Sequence, residues 1–144
     1  MILCSGGFDP LHVGHLHYLQ AAATYDDYVV VVLNSDAWLI RKKGYVFMPF
    51  LERAEILKAL SVVTHLMEVD DSDGTVCEAL TRVRPHYFAN GGDRTEPNPA
   101  EDAVCGKLGI IQLFRVGGTK IASSSQLLRK VSLILSNYPR RILE

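Results

Sequence analysis

The sequence predicts a single α/β domain, residues 1–144, built as a three-layer α/β/α fold around a five-stranded, mostly parallel sheet. Three observations carry that expectation. Short apolar runs of strand length alternate with helix-length periodic segments from end to end, as expected where crossover helices join parallel strands. One run, Tyr28 to Asn34, holds four consecutive valines and a leucine, as suits a central strand covered on both faces. Turns at Gly6-Gly7, Asn34-Ser35-Asp36, Gly91-Gly92-Asp93 and Gly117-Gly118 follow strands, so they converge at the carboxyl edge, where such sheets bind ligands.

Composition narrows the partners. An apolar fraction of 48% with 22% charged residues suits a compact fold with a real core. A formal net charge of −1 gives no electrostatic reason to expect nucleic acid or an anionic membrane as a partner. The longest purely apolar run, Val29 to Leu33, is far too short to span a bilayer. Cys4, Cys77 and Cys105 have no CxxC spacing and leave one thiol over in any pairing; with no signal-peptide pattern, a cytoplasmic location is expected.

Ile2 to Cys4 reads as the first strand and His12 to about Ala23 as the first helix, with Leu11, His15, Tyr18, Leu19 and Ala22 on its buried stripe. After the valine strand, Asn34-Ser35-Asp36 caps a short helix through about Arg41. The basic stretch Arg41-Lys42-Lys43 ends at Gly44, and Pro49 suits the first turn of a helix through about Leu60. That helix offers Leu51, Ala54, Ile56, Leu57 and Leu60 to the core. Val62 to Val69 contains the third strand. Asp70-Asp71-Ser72-Asp73 offers caps for a helix to Arg84, which Pro85 closes. His86 to Asn90 is the fourth strand, Pro99 to Gly109 bounds the next helix, Ile110 to Val116 is the fifth strand and Ser123 to Ser136 the last helix.

The most informative stretch is Gly6-Gly7-Phe8-Asp9-Pro10-Leu11-His12-Val13-Gly14-His15. It runs from a strand, through a glycine turn, into a helix start. The two histidines stand three residues apart and share one side of the first turn. The first-turn N–H groups have no helical partners, the macrodipole adds roughly half a positive charge, and glycines open the backbone to a bulky anion. The arrangement suits a polyphosphate. An ordinary strand–turn–helix with two exposed histidines is one alternative; a metal shared by His12 and His15, with Asp9 as a third ligand, is another, although no nearby Cys or further His completes such a set.

Gly7-Phe8-Asp9 with His12-Val13-Gly14-His15 resembles the HxGH nucleotidyltransferases, in wording closest to the cytidylyltransferase-like branch. That branch includes glycerol-3-phosphate cytidylyltransferase and the heptose-phosphate adenylyltransferase domain. The resemblance covers roughly Ile2 to Leu128 and implies a Rossmann-like nucleotide-binding domain. It implies that His12 and His15 stabilise charge on the attacked α-phosphoryl, with Gly6, Gly7 and Phe8 in the nucleotide loop. Asp9 falls on the family's acid, which fixes the loop or helps to organise a metal. Lys43, with Lys42 beside it, falls where family members keep a lysine near the phosphates. Arg53 matches a family arginine able to grip a phosphate with two parallel hydrogen bonds, the alternative being a surface pair with a neighbouring acid. Gly92 and Asp93 resemble the loop that holds ribose or base. Ser123, Ser124 and Ser125 resemble the hydroxyl cluster opening the last helix, where one serine would suffice as a cap. Asp36 lies where the family meets its acceptor substrate. The remaining histidines, His17, His65 and His86, read as structural or surface residues.

These readings lead to an enzyme that moves CMP from CTP to a phosphorylated small molecule, a sugar phosphate, polyol phosphate or phosphonate, and releases pyrophosphate. An adenylyltransferase using ATP on a sugar phosphate, or a non-catalytic nucleotide sensor, are the alternatives. Mg²⁺ is expected as cofactor, held mainly by the triphosphate, because the chain has no dedicated acidic cage. One departure bears on the base: cytidylyltransferases usually carry Arg-Thr-Glu-Gly before the last helix, and here the chain reads Gly118-Thr119-Lys120-Ile121. A homodimer is also expected, from the resemblance and from apolar residues near the carboxyl end. Leu127, Leu128, Val131, Ile134 and Leu135 form a stripe that the chain's own sheet could bury, and Leu133, Tyr138, Ile142 and Leu143 lie beyond it.

Overall fold

The computed structural model describes residues 1–119 and 122–137. Lys120 and Ile121 of the departing loop, and Tyr138, Ile142 and Leu143 of the tail, lie outside the described residues. The expected α/β architecture is present. Five strands, β1 (Ile2–Gly6), β2 (Val29–Leu33), β3 (His65–Glu68), β4 (Tyr87–Gly91) and β5 (Ile111–Val116), form one sheet in the order β3-β2-β1-β4-β5. Every pairing is parallel, with Ile2 opposite both Val29 and Tyr87.

Helices cover both faces because strand residues alternate sides. Ile2, Cys4, Val29, Val31, Leu33 and Ala89 turn to one face, beneath α1 (Val13–Ala23) and α3 (Phe50–Ala59). Leu3, Val32 and Phe88 turn to the other, against α4 (Cys77–Val83) and α5 (Pro99–Leu108). The valine strand is buried along its whole length, as its composition demands. α2 (Asp36–Lys43) follows β2 and ends on Gly44 in the left-handed conformation (φ 85), which glycine adopts without steric cost. α6 (Ser124–Asn137) follows β5. Among the described residues no helix is long and apolar enough to cross a membrane.

Three expectations about packing need correction. In α3 the core stripe is Phe50, Ala54, Leu57 and Leu60, whereas Leu51 is 79% exposed and Ile56 is also exposed. The stripe follows i, i+4, i+7 from Phe50, and one residue's offset turns Leu51 about 100° away from the sheet. The second concerns Asp70 to Asp73, which do not cap α4. Asp70 and Asp73 close local turns onto the N–H groups of Ser72 and Thr75, and α4 starts only at Cys77. Asp71 instead is buried and receives the Asn34 amide, the Ser35 N–H and the Ser35 hydroxyl, fixing the turn after β2. Finally, the α6 stripe is not buried by the sheet: Val131 and Ile134 remain exposed, and in that helix Ser124 alone is buried.

Candidate active site

The strand order reverses between β1 and β4, the place where doubly wound sheets bind ligands. A cleft of about 630 Å³ opens there, above the carboxyl ends of β1, β2 and β4. That volume suits a nucleotide-sized ligand. From β1 the chain turns through Gly7, Phe8 and Asp9. Phe8 adopts a left-handed backbone (φ 48) and is 2% exposed, its ring packed against His15 with centroids 4.9 Å apart.

His12 is the N-cap of α1, not its first helical residue. Its Nδ1 accepts from Gly14 N–H at 3.1 Å, and His15 Nδ1 accepts from the His12 N–H at 3.2 Å. This is a reciprocal capping box made from two histidines, which satisfies first-turn donors. A ring nitrogen that accepts carries no proton, so each neutral imidazole carries its proton on Nε2. The rings stack at 3.8 Å with 22° between their planes. Gly14 makes the stacking possible. A Cβ at that position would stand 2.9 Å from His12 Cε1 and 3.3 Å from the Ala122 carbonyl oxygen. Bare backbone there lets the imidazole lie over the first turn while the entry to α6 closes from above.

The start of α6 completes this corner, and its three serines divide the work. Ser123 Oγ caps the helix by accepting from Gln126 N–H, Ser124 Oγ donates to Pro10 O at 3.1 Å, and Ser125 is exposed at the cleft. Two helix N-termini, those of α1 and α6, therefore meet over the glycine loop. On the β5 side, Gly117 (φ 88) approaches so closely that a Cβ would sit 3.1 Å from Tyr18 Cα. Tyr18 lies under the cleft floor and donates to Ala89 O at 2.7 Å; burial holds its phenol well above the usual range.

Gly6, Gly7, Gly92 and Asp93 line the same cleft, as do Lys42 and Lys43. The structure separates the two lysines. Lys43 Nζ donates to Asp9 O at 2.8 Å, whereas Lys42 Nζ lies 4.5 Å from the centre of the Trp38 ring. Asp9 takes the loop-fixing option: its buried carboxylate accepts from Phe47 N–H at 2.7 Å and Met48 N–H at 2.6 Å. With both oxygens engaged by backbone donors, it is poorly suited to ligate a metal. Among the described residues no group of three or more His, Cys, Asp or Glu side chains is placed to hold one.

Arg53 and Asp36 are not placed as expected. Arg53 is 1% exposed and does not line the cleft. Its Nε donates to Met48 O at 2.9 Å and its Nη1 to Gly7 O at 2.7 Å and Asn34 O at 2.8 Å, while Nη2 meets Asp36 at 2.6 Å. It is neither a surface pair nor a phosphate clamp. It is an internal brace tying the turns after β1 and β2 to the loop before α3, and it draws Asp36 away from the cleft. Of the histidines read as structural, His65 and His86 are exposed at the opposite end of the strands, but His17 reaches the cleft rim.

The cleft also contains residues that the sequence did not single out: Trp38, Asn90, Arg94 and Glu101. Arg94 follows directly on Gly91-Gly92-Asp93, and Trp38 is the one tryptophan of the chain, so both carried a signal. Glu101 carried none, standing inside an ordinary helix one turn after its cap.

Comparison with known proteins agrees with this geometry. The cytidylyltransferase-like family model matches residues 3–130. The bifunctional protein HldE of Pelobacter propionicus is 40% identical over 98 residues, 66% of this chain and 20% of that protein. HldE of Citrifermentans bemidjiense is 33% identical over 141 residues, 96% of this chain and 28% of that protein. The chain thus spans between a fifth and somewhat over a quarter of these relatives. Among solved structures, a lipopolysaccharide core biosynthesis protein from Thermoplasma volcanium superposes with a TM-score of 0.65 at 26% identity, covering 78% of this chain and 91% of that one. A protein of unknown function from Archaeoglobus fulgidus, at 17% identity and a TM-score of 0.50 over 79% of this chain and 96% of its own, shares the fold. With the family model running from β1 into α6 and the histidine pair seated at the switch point, the chain belongs to the cytidylyltransferase-like family of nucleotidyltransferases.

Proposed function

We propose that the domain transfers a nucleoside monophosphate from a nucleoside triphosphate to the phosphate of a small sugar or polyol phosphate, with release of pyrophosphate. The observation that supports this most directly is the pair of stacked histidines, tautomerically fixed by their own helix cap, where the α1 and α6 N-termini meet. The triphosphate lies along that corner. An acceptor phosphate oxygen attacks the α-phosphorus in line, the bond to the bridging oxygen breaks, and pyrophosphate leaves with the electron pair. The Nε2–H groups of His12 and His15 stabilise the negative charge that builds on the α-phosphoryl oxygens and the leaving group, the dominant need of such transfers. Ser125 and the first-turn N–H groups of α6 hold the departing phosphates. Gly92 and Asp93 border the ribose or base, and Lys43, tied to the glycine loop through Asp9 O, supplies positive charge beside it.

Mg²⁺, if it accompanies the triphosphate, would be held mainly by the phosphates rather than by this chain's side chains, and would supply neutralisation of phosphate charge. CTP is the nucleotide that the overall wording favours. ATP is the second reading, supported by the loop at Gly117-Gly118-Thr119, which lacks the acid that cytidylyltransferases bring there. The sugar phosphate acceptor draws support from the likeness to a protein of lipopolysaccharide core biosynthesis. A homodimer fits the half-open stripe of α6; light scattering at micromolar concentration should return about twice the 16.0 kDa chain mass, and a clean, active monomer refutes it.

The deciding experiment measures pyrophosphate release with Mg²⁺, each of the four ribonucleoside triphosphates and a panel of sugar and polyol phosphates. Turnover with one triphosphate and one acceptor class names both substrates. Tight triphosphate binding without turnover for any acceptor would favour a nucleotide sensor instead.

A further inference from the structure

With Arg53 committed to the interior, the arginine that lines the cleft among the described residues is Arg94. Its backbone N–H donates to Gly91 O at 3.0 Å and closes the turn after β4. The side chain crosses to α5, where Nη2 stands 2.9 Å from Oε2 of Glu101. Glu101 is 3% exposed. Its Oε1 accepts from Val76 N–H at 3.2 Å, which pins the carboxylate to the entry of α4, and Oε2 has no hydrogen-bond partner of good geometry. A carboxylate this deeply buried is costly unless a cation compensates it, and Arg94 is the cation paired with it.

The pair is asymmetric. Glu101 is enclosed, whereas the Arg94 side chain is 35% exposed and borders the cleft. A guanidinium has five N–H donors in a planar fork, and the contact with Glu101 uses one nitrogen. The remaining edge is open to a ligand with paired oxygens, and phosphate is the group that such a fork matches best. Arg94 also follows Asp93 directly and shares the lining of the cleft with His12, His15, Gly74 and Val76.

We propose that Arg94, oriented by the buried carboxylate of Glu101, binds a phosphate group of a substrate with the open edge of its guanidinium, and that Glu101 is its positioning residue. This rests on the nucleotidyl-transfer reading. The phosphate belongs either to the triphosphate or to the acceptor, and the two sources separate in binding measurements.

The test is calorimetric titration of the whole chain with CTP, ATP, inorganic pyrophosphate, glycerol 3-phosphate and mannose 1-phosphate. Arg94→Ala should weaken one class, triphosphate with pyrophosphate or sugar and polyol phosphate, by tenfold or more and leave the other within twofold. Arg94→Lys, which keeps the charge without the fork, should fall between. Glu101→Gln retains an acceptor for Val76 N–H but loses the charge that holds Arg94, so the same class should weaken severalfold. In the Arg94→Ala background Glu101→Gln should have no further effect, and this double variant, which leaves no unpaired carboxylate buried, also covers the case in which Arg94→Ala alone folds poorly. Folded Arg94 variants that bind every probe within twofold of wild type overturn the proposal. So does a Glu101→Gln effect of equal size with and without Arg94, which would make Glu101 merely structural. Wild-type binding without pyrophosphate release in any combination defeats the transfer reading alone, while a wild type that binds none of the probes overturns both.

Discussion

Arg53→Lys distinguishes a phosphate clamp from an internal brace. In the structure the guanidinium makes four contacts on both edges of its plane, at 2.9, 2.7, 2.8 and 2.6 Å. Lysine keeps a charge opposite Asp36 but gathers its three donors on one nitrogen, so Met48 O and one of the Gly7 and Asn34 carbonyls lose their partner. Each buried acceptor left unsatisfied costs about 1–3 kcal/mol. Asp36 is 42% exposed, so the ion pair itself adds little to that sum. A loss of about 3 kcal/mol follows from two orphaned acceptors. For a domain of this size it lowers the melting midpoint by about 12 °C, at roughly 4 °C per kcal/mol. Urea denaturation followed by circular dichroism measures it, with the slope unchanged if the native state stays compact. A loss below about 1 kcal/mol, the low end for even one unsatisfied acceptor, would refute the brace. Coupled to a tenfold fall in triphosphate affinity, that result would restore Arg53 to the phosphates.

Three further outcomes follow from particular contacts. His15→Ala should lower turnover a hundredfold or more, on the order of one lost transition-state donor, and stability by about 1 kcal/mol for the lost cap. His15→Gln, which can rebuild the capping box, should recover the stability but not the turnover; full turnover in either variant removes His15 from the chemistry. Asp93→Ala should weaken triphosphate binding more than acceptor binding in calorimetry, and the reverse order would reassign that loop. Burial pushes the Cys4 thiol up to about 12 and the Cys105 thiol to about 11, with the Glu101 and Asp102 charges adding to the second. At pH 8 a colorimetric disulfide reagent should therefore titrate one thiol quickly, that of half-buried Cys77, and the others only on unfolding. Because both shifts are upward, stability should fall as pH rises from about 9 toward 12, where the unfolded thiols ionise first. Fast reaction of all three thiols in the native protein would contradict the burial.

What the sequence determined was whatever is settled by neighbours along the chain. The valine run reads as a covered strand, and the glycine turn running into His12-Val13-Gly14-His15 placed a helix start and a family at once. Even there the capping box was out of reach, because it needs the side-chain torsions that turn Nδ1 of each ring back onto the first-turn backbone. Tertiary structure decided every residue whose partner lies far away in the chain. The family resemblance makes Arg53 a phosphate ligand, and nothing local contradicts it, because an arginine on a helix has no local fate of its own; three carbonyls from separate loops claimed it. Asp71 looked like a helix cap until a turn 36 residues earlier offered its N–H and hydroxyl. Glu101 had no visible role until burial beside Arg94 gave it one. Periodicity and turn chemistry are local and survive in the unfolded chain, whereas the cost of a buried charge exists only once the chain has closed over it, so its solution is visible only in the folded molecule.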